Sequence, residues 1–257
     1  MELIKKTLKP MIYIFGAIVF SLALLFAALT ENDLGIPSHS AYIEWTIKLI
    51  FIVSCSVFLA FKEKAFLKTL TERNTFSIYL VIGLTVALSA CLMNFRTPNH
   101  NAGFRVNAGV FFGILTTVVS EEIYYRLFAT AFFSQNNIVP LKNVIIMITV
   151  FGLSHAVNCY ENMIDGLLTV ANALCFGAFL TAVFLKTKNL LLAIVIHLFV
   201  NTFATVFTVN SNQTPTFGAT LQIVFYAVSC LLSIISAVVI LKKLLWHRCT
   251  KKQRNIE

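Results

Sequence analysis

The sequence predicts an all-α membrane protein, a helical bundle of about eight transmembrane spans with both termini cytoplasmic. Three observations predict it. Of 257 residues, 58% are hydrophobic and only 12% charged, with 24 phenylalanines, and the mean hydropathy is +0.83, far from the balance of a soluble domain. Apolar runs of the length a bilayer demands, roughly 20 residues at 1.5 Å rise each, recur along the chain. The basic residues alternate between loops, as positive-inside orientation requires.

The spans fall at 11–30, 43–61, 75–93, 109–133, 143–158, 167–185, 190–209 and 218–241, which leaves no room for a soluble domain and makes 1–257 a single membrane domain. The run from Met11 to Leu29 is too long for a signal-peptide core, so it reads as a retained first span. With the N-terminus inside, sixteen basic residues lie on inner segments: Lys5, Lys6, Lys9, Lys62, Lys64, Lys68, Arg73, Lys142, Lys186, Lys188, Lys242, Lys243, Arg248, Lys251, Lys252 and Arg254. The outer loops hold two, Arg96 and Arg105, while Lys48 and Arg126 sit within spans. An odd number of spans destroys this asymmetry, although six spans with two re-entrant segments preserve it. The loops are short: 62–74 inside, 94–107 outside with Pro98, and 210–217 outside with Pro215.

The net charge of +9 resides mainly on those inner loops and the tail, where anionic lipid headgroups attract it. The expected partner is therefore the lipid bilayer, and no nucleic acid is implied. Six cysteines, at 55, 91, 159, 175, 230 and 249, show no Cys-x-x-Cys spacing and read as small buried residues. There is no phosphate-binding glycine loop, Gly-x-Ser-x-Gly elbow or His-Glu-x-x-His zinc motif.

Against this background the fourth span is anomalous, because Glu121, Glu122 and Arg126 lie inside the apolar run from Ala108 to Phe133. One charge at the centre of a membrane helix costs about 3 kcal/mol on insertion scales, and such residues face a partner or a cavity. Glu122 and Arg126, four apart with the acid first, can pair along one helix face. Glu121 is turned by about 100° from its neighbour and is the carboxylate left for chemistry as general base or acid. The fifth span reads Phe151-Gly-Leu-Ser-His155 with Asn158 beyond, placing an aromatic one turn before an imidazole. The seventh places His197 and Asn201 four apart, so a ring nitrogen and an amide project together, as stabilising a carbonyl oxyanion requires. Taken singly, each histidine or asparagine equally suits an interhelical hydrogen bond of about 1 kcal/mol.

Together, Glu121-Glu122-x-x-x-Arg126, Phe151-x-x-x-His155 and His197-x-x-x-Asn201, in that order on separate spans, resemble the CPBP family of intramembrane proteases, which includes type II CAAX prenyl endopeptidases and bacteriocin-processing or immunity proteins. Asn172-Ala-Leu, Phe176-Gly177 and Lys186-Thr-Lys-Asn189-Leu extend the resemblance to about 108–205. It implies hydrolysis of a peptide bond in a membrane-associated protein or peptide. Glu121 and His155 would activate water, His197 and Asn201 would hold the oxyanion, and Glu122, Arg126 and Phe151 would orient the site. Relatives labelled metalloproteases keep zinc open as a cofactor, with Glu121, His155 and His197 as candidate ligands, but a metal-free scheme is preferred because zinc would consume the histidine that serves the oxyanion. The rival class is non-enzymatic: an immunity or scaffold protein, or less readily a proton-coupled transporter. The short chain points to a bacterial plasma membrane. Counted along the helices from their inner ends, His197 lies roughly 11 Å deep, Glu121 roughly 18 Å and His155 roughly 20 Å, a spread beyond hydrogen-bond reach unless helix tilt closes it.

Overall fold

A computed structural model describes residues 8–22, 46–57, 76–93, 108–134, 138–160, 163–208 and 219–254. The predicted loops 62–74, 94–107 and 210–217 lie outside these residues, as do several of the inner-side lysines. Among the described residues every regular element is a helix: α1 (Leu8–Leu22) and α2 (Thr46–Val57), α3 (Phe76–Met93), α4 (Ala108–Glu122), a π-helical stretch Ile123–Phe128 leading into α5 (Ala129–Phe133), α6 (Leu141–Ser154) with a 3-10 extension His155–Tyr160, α7 (Met163–Thr187), α8 (Leu190–Thr208) and α9 (Ala219–Arg254). Each predicted span thus contains helix. Three stretches are long and apolar enough to cross a membrane: Leu141–Cys159, Gly166–Thr187 and Ile223–Lys243. The last helix runs well past the predicted end at 241, carrying the basic tail as helix to Arg254.

Two apolar clusters organise the packing. One joins Tyr79, Val86 and Ala87 of α3 to Phe176, Phe179 and Val183 of α7, Leu192 and Ile196 of α8, and Ala237 and Ile240 of α9. The other joins Tyr13 and Ala17 of α1, Cys55 of α2, Tyr124 and Tyr125 of the π stretch, and Met147 and Phe151 of α6. α9 enters the first cluster through a narrow stripe, with Ser229, Ser233 and Ala237 buried four residues apart while Ile234, Ile235, Val238 and Val239 face outward. Small residues at that spacing let helix backbones approach closely without lipid between them. Outward apolar residues, including Met11 and Phe15 of α1 at 65% and 68% exposure, form the surface a lipid phase would cover.

α1 runs antiparallel to α4 and α5. At one end Lys9 Nζ donates to the Phe132 carbonyl oxygen at 3.2 Å. In the middle the Tyr124 hydroxyl donates to the Tyr13 carbonyl oxygen at 2.7 Å, with the two rings stacked. Further along, Phe20 stacks on Phe51 of α2. Gly16 faces the Tyr124 hydroxyl so closely that an added Cβ would collide with it. A tight turn joins α7 to α8: Lys188 takes a left-handed backbone at φ 53°, and Asn189 Oδ1 accepts from Leu192 N–H at 2.9 Å. That is an asparagine N-cap starting the helix of His197 and Asn201. Cys55, Cys159, Cys175 and Cys230 are free thiols.

Candidate active site

The motif residues meet at the seam between the two clusters. Glu122, with no exposure, accepts on one oxygen, Oε1, from His197 Nδ1 at 2.8 Å and stands 3.2 Å from an Arg126 guanidinium nitrogen. The pair four apart therefore forms along the helix. The same Glu122 oxygen grips His197, whose other ring nitrogen stands 3.6 Å from Glu121, so the two neighbouring carboxylates meet one imidazole at its two nitrogens. The Arg126 guanidinium stacks 4.0 Å above the Phe151 ring, so a cation with no exposure has a carboxylate on one side and a π face on the other.

Phe151 is the hub. Its ring lies edge-on to His155 at 4.9 Å and to His197 at 6.1 Å, and edge-on to Tyr125 at 5.1 Å. This arrangement needs Gly177 opposite on α7, because a Cβ there would run into the Phe151 ring. Phe176 meets the His197 ring from the other cluster at 5.8 Å.

The two imidazoles share a hydrogen-bonding pattern. His197 Nδ1 faces a carboxylate oxygen, and His155 Nδ1 lies 2.9 Å from the Phe151 carbonyl oxygen. Both partners only accept, so both Nδ1 atoms carry hydrogen, and in each neutral ring Nε2 holds a bare lone pair. His197 Nε2 stands 3.6 Å from Glu121 Oε2, an atom with no hydrogen-bond partner. His155 ends α6 and opens the 3-10 turn, which turns its side chain and Asn158 toward the same space.

That space is a cavity of about 300 Å3 walled by Phe20 and Ser21 of α1, Thr117, Glu121 and Tyr125 of the α4 segment, Ser154, His155, Val157 and Asn158 of α6, and Asn201 of α8. Glu121, His155 and Asn201 thus open onto one cavity, with His197 just behind its wall at 3% exposure. The calculated depth spread does not keep them apart. The π stretch puts more residues into each turn and so shortens the count to Glu121 alone, while His155 and His197 lie on other helices, whose tilt sets their depths. Behind the wall, Lys48, 2% exposed on α2, donates to the Thr117 hydroxyl at 2.5 Å, bringing a second cation to the periphery.

Among the described residues no group of three or more His, Cys, Asp and Glu side chains is arranged to hold a metal ion. Sequence reasoning missed Phe20, Ser21, Thr117 and Tyr125. Thr117 and Tyr125 were within reach, each being four residues from Glu121 on the same helix. Nothing in the apolar pattern of α1 marks Phe20 or Ser21.

Residues 104–203 match the family model described as type II CAAX prenyl endopeptidase, Rce1-like. The matched segment contains all three motifs and coincides with the stretch on which the CPBP resemblance rests. No curated protein and no solved structure matches the chain.

Proposed function

We propose that the protein is an intramembrane endopeptidase that hydrolyses a peptide bond of a membrane-associated protein or peptide. The observation that carries this reading is the convergence of Glu121, His155 and Asn201 on one cavity with His197 Nε2 facing Glu121. Glu121 and the bare Nε2 of His155 are two acceptors on the cavity wall, and a water between them loses a proton to one as it attacks the carbonyl carbon. The developing oxyanion needs donors. Asn201 supplies an amide N–H. His197 supplies a second only when Nε2 is protonated, and the Glu122 carboxylate on Nδ1 supports that imidazolium as a buried acid supports a catalytic histidine. Arg126 balances the charge of Glu122, and Phe151 holds guanidinium and both imidazoles in register. No step is routed through a metal.

The distribution of basic residues supports a multi-pass membrane protein with both termini cytoplasmic. A reporter fused after Glu257 reads as cytoplasmic on this topology, and an extracytoplasmic signal refutes it. The catalytic reading is tested by reconstituting the chain in lipid vesicles with anchored peptide substrates. Glu121→Gln and His155→Ala abolish cleavage while leaving the protein inserted and folded. Full activity of Glu121→Gln removes the assigned base.

A further inference from the structure

Among the hydrogen-bond donors of the cavity wall that the scheme above does not use is the phenol of Tyr125. Tyr125 is 1% exposed and lines the cavity beside Glu121 and Ser154. Its hydroxyl has the Ser21 and Ser154 hydroxyls as polar neighbours, yet it is a buried oxygen without a hydrogen-bond partner. A buried phenol normally finds a partner, and leaving one unsatisfied is unfavourable. The ring is not free to seek one elsewhere: it is clamped edge-on between Tyr124 at 5.0 Å and Phe151 at 5.1 Å. A phenol held by packing in a cavity wall, with no hydrogen bond of good geometry, is a preorganised donor for a ligand atom that accepts.

We propose that Tyr125 is a catalytic residue whose hydroxyl donates a hydrogen bond to the nitrogen of the scissile amide. The proposal rests on the endopeptidase reading and assigns the one element it lacks, a group for the leaving amine. Tyr125 lies four residues beyond Glu121, and both wall the cavity that Asn201 of α8 also lines. In the resting amide the nitrogen lone pair is delocalised into the carbonyl and accepts no hydrogen bond. Attack of water on the carbonyl carbon forms the C–O bond, moves the carbonyl π pair onto oxygen and localises the lone pair on nitrogen. The Tyr125 O–H then gains its partner. The proton taken from water by Glu121 then displaces this hydrogen bond on the nitrogen's single lone pair, the C–N bond breaks, and Tyr125 keeps its own proton throughout. Because the acceptor exists only past the ground state, the contact acts on kcat and leaves substrate binding nearly unchanged.

Tyr125→Phe keeps the ring and its packing and removes only the oxygen. Its test uses the full chain in phosphatidylcholine–phosphatidylglycerol vesicles, with an internally quenched peptide library bearing an apolar anchor, beside wild type and Glu121→Gln. The expected result is a loss in kcat of roughly 10- to 100-fold, the range of a lost transition-state donor, with KM within about twofold and an unchanged melting temperature. A kcat within twofold of wild type overturns the proposal, as does a loss carried by KM, which marks a ground-state contact. A melting temperature lowered in step with activity also overturns it, because the hydroxyl is then structural. If Tyr125→Phe is fully active while Glu121→Gln is dead, only the tyrosine assignment falls. If Glu121→Gln cleaves normally, the underlying reading falls instead.

Discussion

Replacing Glu122 by Gln keeps the side chain's size and removes its charge, and the structure sets what that should cost. One oxygen serves both a guanidinium at 3.2 Å and an imidazole N–H at 2.8 Å, and neither Glu122 nor Arg126 has any exposure. Breaking a buried ion pair from one side leaves an uncompensated charge, a loss of about 3–5 kcal/mol. The Phe151 face lowers that loss by stabilising Arg126, a cation–π contribution of about 1–2 kcal/mol when desolvated. Roughly 1–4 kcal/mol remains, or a fall in melting temperature of roughly 2–16 °C for a chain of this size. The assay is thermal unfolding in lipid vesicles of Glu122→Gln, Arg126→Met and the double variant. The double variant should lose less than the sum of the singles by about 1–3 kcal/mol, because it deletes both charges together. Additive losses, or a Glu122→Gln protein as stable as wild type, refute the ion pair as an energetic unit.

Three other predictions follow from the same geometry. Gly177→Val drives a side chain into the Phe151 ring, displacing the hub, and cleavage assays should show at least a 10-fold loss in kcat with the protein still inserted; unaltered turnover contradicts the role given to Phe151. His197→Ala and Asn201→Ala should each lower turnover by roughly 100-fold or more as oxyanion donors, and losses below about threefold in single-turnover kinetics remove that assignment. Purified protein should contain substoichiometric zinc by elemental analysis and stay active after exhaustive chelation, whereas one tightly bound zinc per chain whose removal abolishes activity overturns the metal-free scheme.

Much of the site was legible in the sequence because a membrane makes polar residues conspicuous. Glu121, Glu122 and Arg126 stand out since ionised groups in an apolar run need a partner or a cavity, and the spacing of four by itself points to the ion pair of Glu122 and Arg126. Relations between helices were not legible. Periodicity says that His197 and Asn201 share a face, but not that the face meets Glu122. Nor does any residue type in Ile-Tyr-Tyr-Arg-Leu-Phe announce that Ile123–Phe128 is π-helical.

Tyr125 escaped notice while Glu121 did not because an aromatic in an apolar span is ordinary core, and its ring does serve that purpose between Tyr124 and Phe151. Its spacing of four from Glu121 becomes chemically informative only once the cavity is seen to be walled by both residues, with the hydroxyl left without a hydrogen bond of good geometry. Arg126, the next residue, is carried by the same π-helical stretch against Glu122 and Phe151. One local departure from α geometry therefore positions both the charge balance of the histidine and the donor assigned here to the leaving amine, which fits the tendency of π segments to occur at functional sites. Activity should accordingly respond to changes that let this stretch relax toward a regular α-helix, even where they touch no residue on the cavity wall. Deleting Leu127, which takes one residue out of the wide turn and packs in a separate small apolar cluster with Ala131 and Phe184, should abolish cleavage while circular dichroism still reports a helical, inserted protein. Retained cleavage in that variant would show that the site does not depend on the π geometry.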